Sequence, residues 1–222
     1  MKTLEKRSVQ MSDSIIIAVI VALSGGFQDA YTYFCRDGVF ANAQTGNIVL
    51  MSTSLFRGEF MKSLKYIFPI VAFFLGTFIA EGGRHKFGAV SRIHWRQIIV
   101  IAEIVLLLGV GFMPATLTPV ANVLVSFVCA MQVQTFHKVR GHVYASTMCI
   151  GNLRSGSEAL NHYFRTREKK YLHTFGTYLT VIAAFAVGAG LGSVLTSILG
   201  IQAIWCCCGL LFVGFCVMLR QP

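Results

Sequence analysis

The chain has 222 residues, of which 55% are hydrophobic and only 13% charged, about half the charged share of an ordinary soluble domain. With a mean hydropathy of +0.66, a chain of this length cannot fold all its apolar surface into one water-soluble core, so lipid is expected to solvate part of it. The 19 Lys and Arg against 9 Asp and Glu would point a soluble protein toward nucleic acid. Between apolar segments they read instead as topology signals and as contacts to anionic lipid head groups, and no nucleic-acid partner is expected.

Lys2, Lys6 and Arg7 precede an apolar run from Ile15 to Leu23, which resembles the start of a signal peptide. No clean small-x-small cleavage site follows, so the run reads as an uncleaved first span. Eight apolar segments follow one another: 14–34, with Asp29 and a break at Gly25-Gly26; 39–55, uncharged but rich in small polar residues; 64–80, with Lys65 and Pro69; 98–113, with Glu103; 117–136; 143–153; 172–199; and 200–219. A helix needs roughly 20 apolar residues to cross a bilayer. The first, fifth, seventh and eighth meet that need. The third and fourth meet it by extending into polar flanks. The sixth is too short unless Arg154 and Glu158, one helical turn apart, pair within the membrane.

Charge placement chooses among topologies. If 39–55 and 143–153 dip in without crossing and the N-terminus is cytoplasmic, fourteen basic residues lie inside. They run from Lys2, Lys6 and Arg7 through Arg84, Lys86, Arg92, Arg96, Lys138 and Arg140 to Arg165, Arg167, Lys169, Lys170 and Arg220. Only Arg36, Arg57, Lys62 and Lys65 then lie outside, with Arg154 left out. Eight crossings give eleven against seven, and seven crossings with the N-terminus outside give twelve against six. The excess of inside positive charge favours six spans with both termini cytoplasmic, and leaves open the seven-span arrangement in which 39–55 crosses.

The chain also repeats. Thr45-Gly46-Asn47-Ile48 in the second segment matches Ile150-Gly151-Asn152-Leu153 in the sixth. Gln28-Asp29 precedes the first and Gln132 and Gln134 the second; Phe73 to Thr77 follows the first and Phe185 to Ala189 the second. The expected organisation is an all-α bundle of two inverted three-span halves, 1–114 and 115–222, each with one interrupted or re-entrant Gly-Asn segment. Unwound backbone at that depth must be buried in protein or line a wet cavity, and paired interruptions of this kind mark transporter-like folds.

Ser24-Gly25-Gly26-Phe27-Gln28-Asp29-Ala30-Tyr31, Ala43-Gln44-Thr45-Gly46-Asn47 and Met148-Cys149-Ile150-Gly151-Asn152-Leu153-Arg154-Ser155-Gly156 resemble the YoaK-like family of bacterial membrane proteins, which carries a domain of unknown function. Gln28 departs from the pattern, standing where an apolar residue is expected. The resemblance covers nearly the whole chain and implies a bacterial cytoplasmic-membrane protein. It implies no reaction.

Asp29 and Glu103 are carboxylates within apolar stretches, each costing at least about 2.5 kcal/mol at mid-bilayer. Asp29 reads either as a ligand for an ion, proton or solute or as an interfacial residue near Arg36; Glu103 as such a ligand or as a residue snorkelling toward Arg92 or Arg96. Gln28, Gln44, Thr45, Asn47, Gln134 and Asn152, with Gly46 and Gly151 beside the asparagines, complete the candidate site. The amides alternatively make ordinary interhelical hydrogen bonds. We expect Gly46-Asn47 and Gly151-Asn152 to approach each other and line one polar cavity. Gly188-Ala189-Gly190-Leu191-Gly192 reads as close helix packing. The seven cysteines read as small packing residues, and the histidines as interfacial. No catalytic set, cofactor motif or metal-ligand spacing is present, so no enzyme, cofactor or metal is expected. The leading expectation is transport of a small solute or ion. The competing one is a membrane scaffold that contacts lipid or a partner, and a homo-oligomer is compatible with either.

Overall fold

The computed structural model describes residues 14–87, 95–139, 142–144 and 149–219. Lys2, Lys6, Arg7, Arg92, His94, Arg140, Met148 and Arg220 lie outside the described residues, as do the side chains of His85, Lys86 and His142. Eight α-helices are formed: α1 Ile15–Cys35, α2 Gln44–Phe56, α3 Phe60–Phe87, α4 Trp95–Gly111, α5 Thr118–Thr135, α6 Cys149–Thr166, α7 Lys169–Leu199 and α8 Trp205–Leu219. Short 3₁₀ turns, Ala115–Leu117 and Gly200–Ile204, lead into α5 and α8. The strands β1 Lys138–Val139 and β2 His142–Val143 pair antiparallel, a small addition to the all-α class.

Local chemistry sets several boundaries. Ser14 caps α1 by accepting from the Ile17 N–H at 3.3 Å, which satisfies one of the free donors at a helix start. A proline in the first turn of α5 costs nothing there, because that N–H has no intrahelical partner. At Gly200 the backbone turns to φ +58°, where a side chain is strained, and α7 ends.

Two apolar runs fold otherwise than their composition implies. In 39–55 the helix begins only at Gln44, because side chains described below hold the preceding backbone in an irregular path. The run 143–153 is not one segment. Its start belongs to the hairpin, and its end opens α6, which continues through polar sequence to Thr166. Periodicity decides here: Asn152, Gly156 and Ala159 form a buried face at helical spacing, while the Arg154–Glu158 pair, at 3.0 Å, is exposed on the other face.

Four helical stretches are long and apolar enough to cross a membrane: 15–35, 60–84, 115–135 and 169–219, the last running from α7 through Gly200 into α8. With 17 and 15 residues, α4 and α8 do not reach that length by themselves. Six full-length apolar helices, as expected from the sequence, are therefore not evident by length alone.

Contacts fix how the helices run. The backbones of Leu23 and Phe27 on α1 meet Gly188 and Gly192 on α7 in the same order, so these helices are parallel. Gly76 against Phe127, and Glu81 bonded to Gln134 at 2.6 Å, make α3 parallel to α5. Trp205 to Leu108, Cys208 to Ile104 and Gln97 to Met218 make α4 antiparallel to α8. The other main pairings are α2 on α3, α6 on α7, α4 on α5 and α1 on α8, with slighter contacts of α1 on α5 and α3 on α4. Exchanging α1, α2, α3 and α4 for α5, α6, α7 and α8 leaves the main pairs unchanged.

Polarity is distributed inside out. Ser24, Gln28, Asn47, Glu103, Ser126, Gln132 and Thr135 are fully buried, whereas Phe56, Phe60, Phe74, Phe78, Val105 and Ile198 are largely exposed. Exposed apolar area of this extent is far from that of an ordinary soluble monomer and is compatible with a lipid surround.

Candidate functional site

The described cavity of interest has a volume of about 750 Å³. Its walls come from four helices. On α1 they are Asp29, Ala30, Tyr33 and Phe34; on α7, Phe185 and Ala189; the first turns of α2 and α6 supply Gln44, Thr45, Cys149, Ile150 and Gly151; and Phe40, Asn42 and Ala43 come from the segment before α2. Two helices thus begin at one cavity, and helix starts present N–H groups and a positive dipole end.

Asp29 ties α1 to the segment before α2: its Oδ1 accepts from the Asn42 N–H at 2.7 Å. The N-cap of α2, Ala43, receives no side-chain cap hydrogen bond, so Asp29 holds the backbone path that leads into α2 and does not cap the helix itself. Asn42 is itself buried; its Nδ2 donates to the Gly25 carbonyl at 3.1 Å, while its Oδ1 has no partner among the described residues. Around these polar groups the walls are apolar, with Tyr33 stacked on Phe40 at 4.7 Å between ring centroids.

Of the residues singled out in the sequence, the cavity brings together Asp29, Gln44, Thr45 and Gly151. A Cβ on Gly151 would meet nothing within 4 Å, whereas one on Gly46 would lie 3.0 Å from the Phe40 ring. Asn47 points into the protein. It accepts from the Phe40 N–H at 3.0 Å and donates to the Phe40 carbonyl at 2.7 Å and to Gln44 Oε1 at 3.0 Å. Asn152 is buried on α6 outside the lining. The first turns of α2 and α6 share a cavity, then, but their asparagines do not line it. Replacing Asn47 with leucine removes three hydrogen bonds worth about 1 kcal/mol each. Asn47→Leu is expected to destabilise the protein by about 2–3 kcal/mol, measurable as a lowered unfolding midpoint in detergent.

The other three candidates lie elsewhere. Gln28 is bonded to Ser24 at 2.9 Å and accepts from the Cys129 thiol at 3.0 Å. Gln134 is tied to Glu81, which also pairs with Arg84. Glu103 is fully buried on α4, with Oε2 at 3.5 Å from Gln132 Nε2.

Sequence reasoning missed Arg36 and Asn42. Asn42 was detectable as a polar residue before the Gln44-Thr45-Gly46-Asn47 run. Arg36 gave no such signal, because a basic residue at a helix end reads as interfacial. It is fully buried. Its guanidinium donates to Tyr31 Oη at 2.9 Å and to the carbonyls of Val110 at 3.0 Å, Met113 at 2.9 Å and Pro114 at 3.3 Å. Asn122 donates to the Arg36 carbonyl at 2.7 Å, and Tyr31 to Ile201 at 3.0 Å. The Arg36 side chain thus binds the end of α4, its carbonyl holds α5 through Asn122, and Tyr31 links the same point to the turn after α7. None of the seven cysteines forms a disulfide, and Cys129, Cys207 and Cys208 are buried packing residues.

A bundle of apolar helices, polar within and apolar without, with two helix starts facing one cavity, is the class of protein that these features define. The chain belongs to the family described as "Protein of unknown function (DUF1275)", whose model matches residues 17–217. No curated protein and no solved structure matches it.

Proposed function

We propose that this is a multi-pass protein of the bacterial cytoplasmic membrane, of the YoaK-like kind, that moves a small solute or ion through a cavity between two inverted halves, 1–114 and 115–222. The observation that carries the reading is the meeting of the first turns of α2 and α6 at one cavity. Helix starts facing a binding space from corresponding places in two repeats are the arrangement by which such transporters hold a solute. In this reading α1, α3, α4, α5, α7 and α8 cross, α2 and α6 are half-helices, and both termini are cytoplasmic. The run directions support it, as does the symmetric scheme of helix pairs. So does the charge: Arg57, Lys62 and Lys65 lie toward one end, and Arg84, Arg165, Arg167, Lys169 and Lys170 toward the other, where anionic head groups attract them.

The lining favours a solute with an apolar body and a hydrogen-bond donor, since Asp29 places a carboxylate among Tyr33, Phe34, Phe40 and Phe185. The reading is non-enzymatic and calls for no cofactor.

Thermal unfolding of the purified protein against matched series of alkyl- and arylamines, alcohols and carboxylates tests it, followed by flux of the stabilising class in proteoliposomes. Stabilisation by a donor-bearing class is expected, and it should vanish in Ile150→Trp and Thr45→Trp, exposed lining positions where bulk fills the cavity. A protein that moves none of these solutes, yet purifies with a fixed partner or lipid, would favour the scaffold reading instead.

A further inference from the structure

The cavity between α1, α2, α6 and α7 carries its charge unevenly. Among the described residues, its lining holds one charged side chain, Asp29, and no lysine, arginine or histidine. Asp29 is more than nine-tenths buried, and no cation among the described residues pairs with it. Arg36, the nearest in sequence, is turned to Tyr31 and the end of α4. A carboxylate kept within a spanning helix without a counter-charge marks a binding place by default.

The two helix starts at the cavity differ in what faces them. Each has a positive dipole end and N–H groups that the helix itself does not use. Neither α2 nor α6 has an acidic residue in its first turn. On the α2 side the negative charge comes from Asp29, tied to the segment leading into that helix through the Asn42 N–H. Asp29 stands eighteen residues before Asn47, and Gln134 stands eighteen before Asn152. In the second half the corresponding residue is thus a neutral amide, and it is bonded to Glu81 away from the cavity. The start of α6 therefore receives a carboxylate neither from the repeat nor from its own first turn. A full negative charge on the α1 side faces a positive helix end on the α6 side.

Room and access agree with a ligand there. A volume of about 750 Å³ is within the range of small-molecule sites. Ala43, Thr45, Ile150 and Gly151 are exposed, so the lining is continuous with the protein surface. The rings of Tyr33, Phe34, Phe40 and Phe185 make the rest of the wall largely apolar.

We propose that the cavity takes an amphoteric solute with an apolar body, its ammonium held by Asp29 and its carboxylate by the first turn of α6, Cys149 to Gly151. An aromatic or branched amino acid is the chemical class that fits. At Gly151 no side chain stands between backbone and anion, and the space beside it is open, since a Cβ there would meet nothing within 4 Å. A solute with only a cation leaves the α6 end unanswered, and one with only an anion meets the carboxylate of Asp29. The inference rests on the solute-site reading above and adds the charge pattern of the solute.

Thermal stabilisation of the intact protein in detergent, read across a concentration series, tests it with two matched sets. One is phenylalanine, phenethylamine and phenylpropionate; the other is leucine, isoamylamine and isocaproate. In at least one set the amino acid is expected to bind about tenfold or more tighter than either single-charge analogue, the scale on which a charge at a partly buried helix end acts. Gly151→Asp gives α6 a carboxylate of its own where the dipole favours one, and should make the amine the tightest ligand. Asp29→Asn keeps an acceptor for the Asn42 N–H, and should make the carboxylate at least as tight as the amino acid. If Asp29→Asn does not fold, Gly151→Asp decides alone. Amines that bind the native protein as tightly as their amino acids overturn the inference and leave the solute-site reading standing. So does an order of ligands unchanged by Gly151→Asp. If none of these ligands, nor any of the alcohols above, stabilises the protein, the solute-site reading falls with it.

Discussion

Replacing Arg36 with alanine is expected to destabilise the protein by about 3–5 kcal/mol, since hydrogen bonds from a charged donor contribute about 1.5–3 kcal/mol each and the change also empties the volume the side chain fills. The guanidinium satisfies the carbonyls of Val110, Met113 and Pro114 together with Tyr31 Oη. The last carbonyls of a helix have no intrahelical donors, and a cation there is favoured by the helix dipole. Alanine withdraws a charged donor from all four; the Val110 and Pro114 carbonyls keep the Met113 and Leu117 N–H groups while the Met113 carbonyl loses this partner, and a void opens where the largest fully buried side chain stood. Arg36→Lys keeps the charge but offers a point donor in place of a planar fork, so an intermediate loss is expected. Unfolding midpoints in a denaturing detergent, compared for the native protein, Arg36→Lys and Arg36→Ala, should fall in that order. Equal midpoints for all three would show that the carbonyls are satisfied in another way.

Gly26 and Gly188 should be nearly as intolerant, for a steric reason. A Cβ at Gly26 would lie 2.0 Å from the Phe185 carbonyl oxygen, and one at Gly188 would lie 2.1 Å from that of Leu23. The obstacle is backbone on both sides, so no side chain can rotate away, and α1 and α7 would have to separate. Gly26→Val and Gly188→Val are each expected to cost about 3 kcal/mol or more, at or beyond the top of the range for ordinary overpacking. Gly190 is the control. It lies between Gly188 and Gly192 on α7, but a Cβ there meets nothing within 4 Å, and Gly190→Ala should leave stability unchanged or raise it by up to about 1 kcal/mol through helix propensity. If Gly26→Val and Gly190→Ala melt alike, the close α1–α7 contact is not what holds this pair together.

The glycine contrast also shows where reading the sequence ended. The run Gly188-Ala189-Gly190-Leu191-Gly192 identified a packing surface, and Gly188 and Gly192 do meet α1. Spacing alone could not separate them from Gly190, because the direction from which α1 arrives decides which glycine lies beneath it. Asp29 poses the same problem in electrostatic form. That a carboxylate in an apolar run needs a partner follows from the cost of burying charge. That its partners are the backbone amides before α2 follows from where the chain returns after Gly38, and no local pattern contains that path.

What the sequence determined by itself is what depends on composition and period: an all-α chain whose apolar segments 14–34, 64–80, 117–136 and 172–219 fall on the helical stretches 15–35, 60–84, 115–135 and 169–219. Those features are sums over neighbouring residues, so they survive without a third dimension. Tertiary structure decided the rest. It made 143–153 part of a hairpin and an amphipathic helix, because burial on α6 follows one face and not a run of hydropathy. It turned Asn47 inward to hold Phe40 and left Gly151 open to the cavity. It buried Arg36, which in sequence is indistinguishable from a solvated helix end, because the carbonyls at the end of α4 and the Tyr31 hydroxyl come to the same point. Hydrogen-bond satisfaction in a medium without water is a property of what converges in space, and convergence is what a linear sequence does not display.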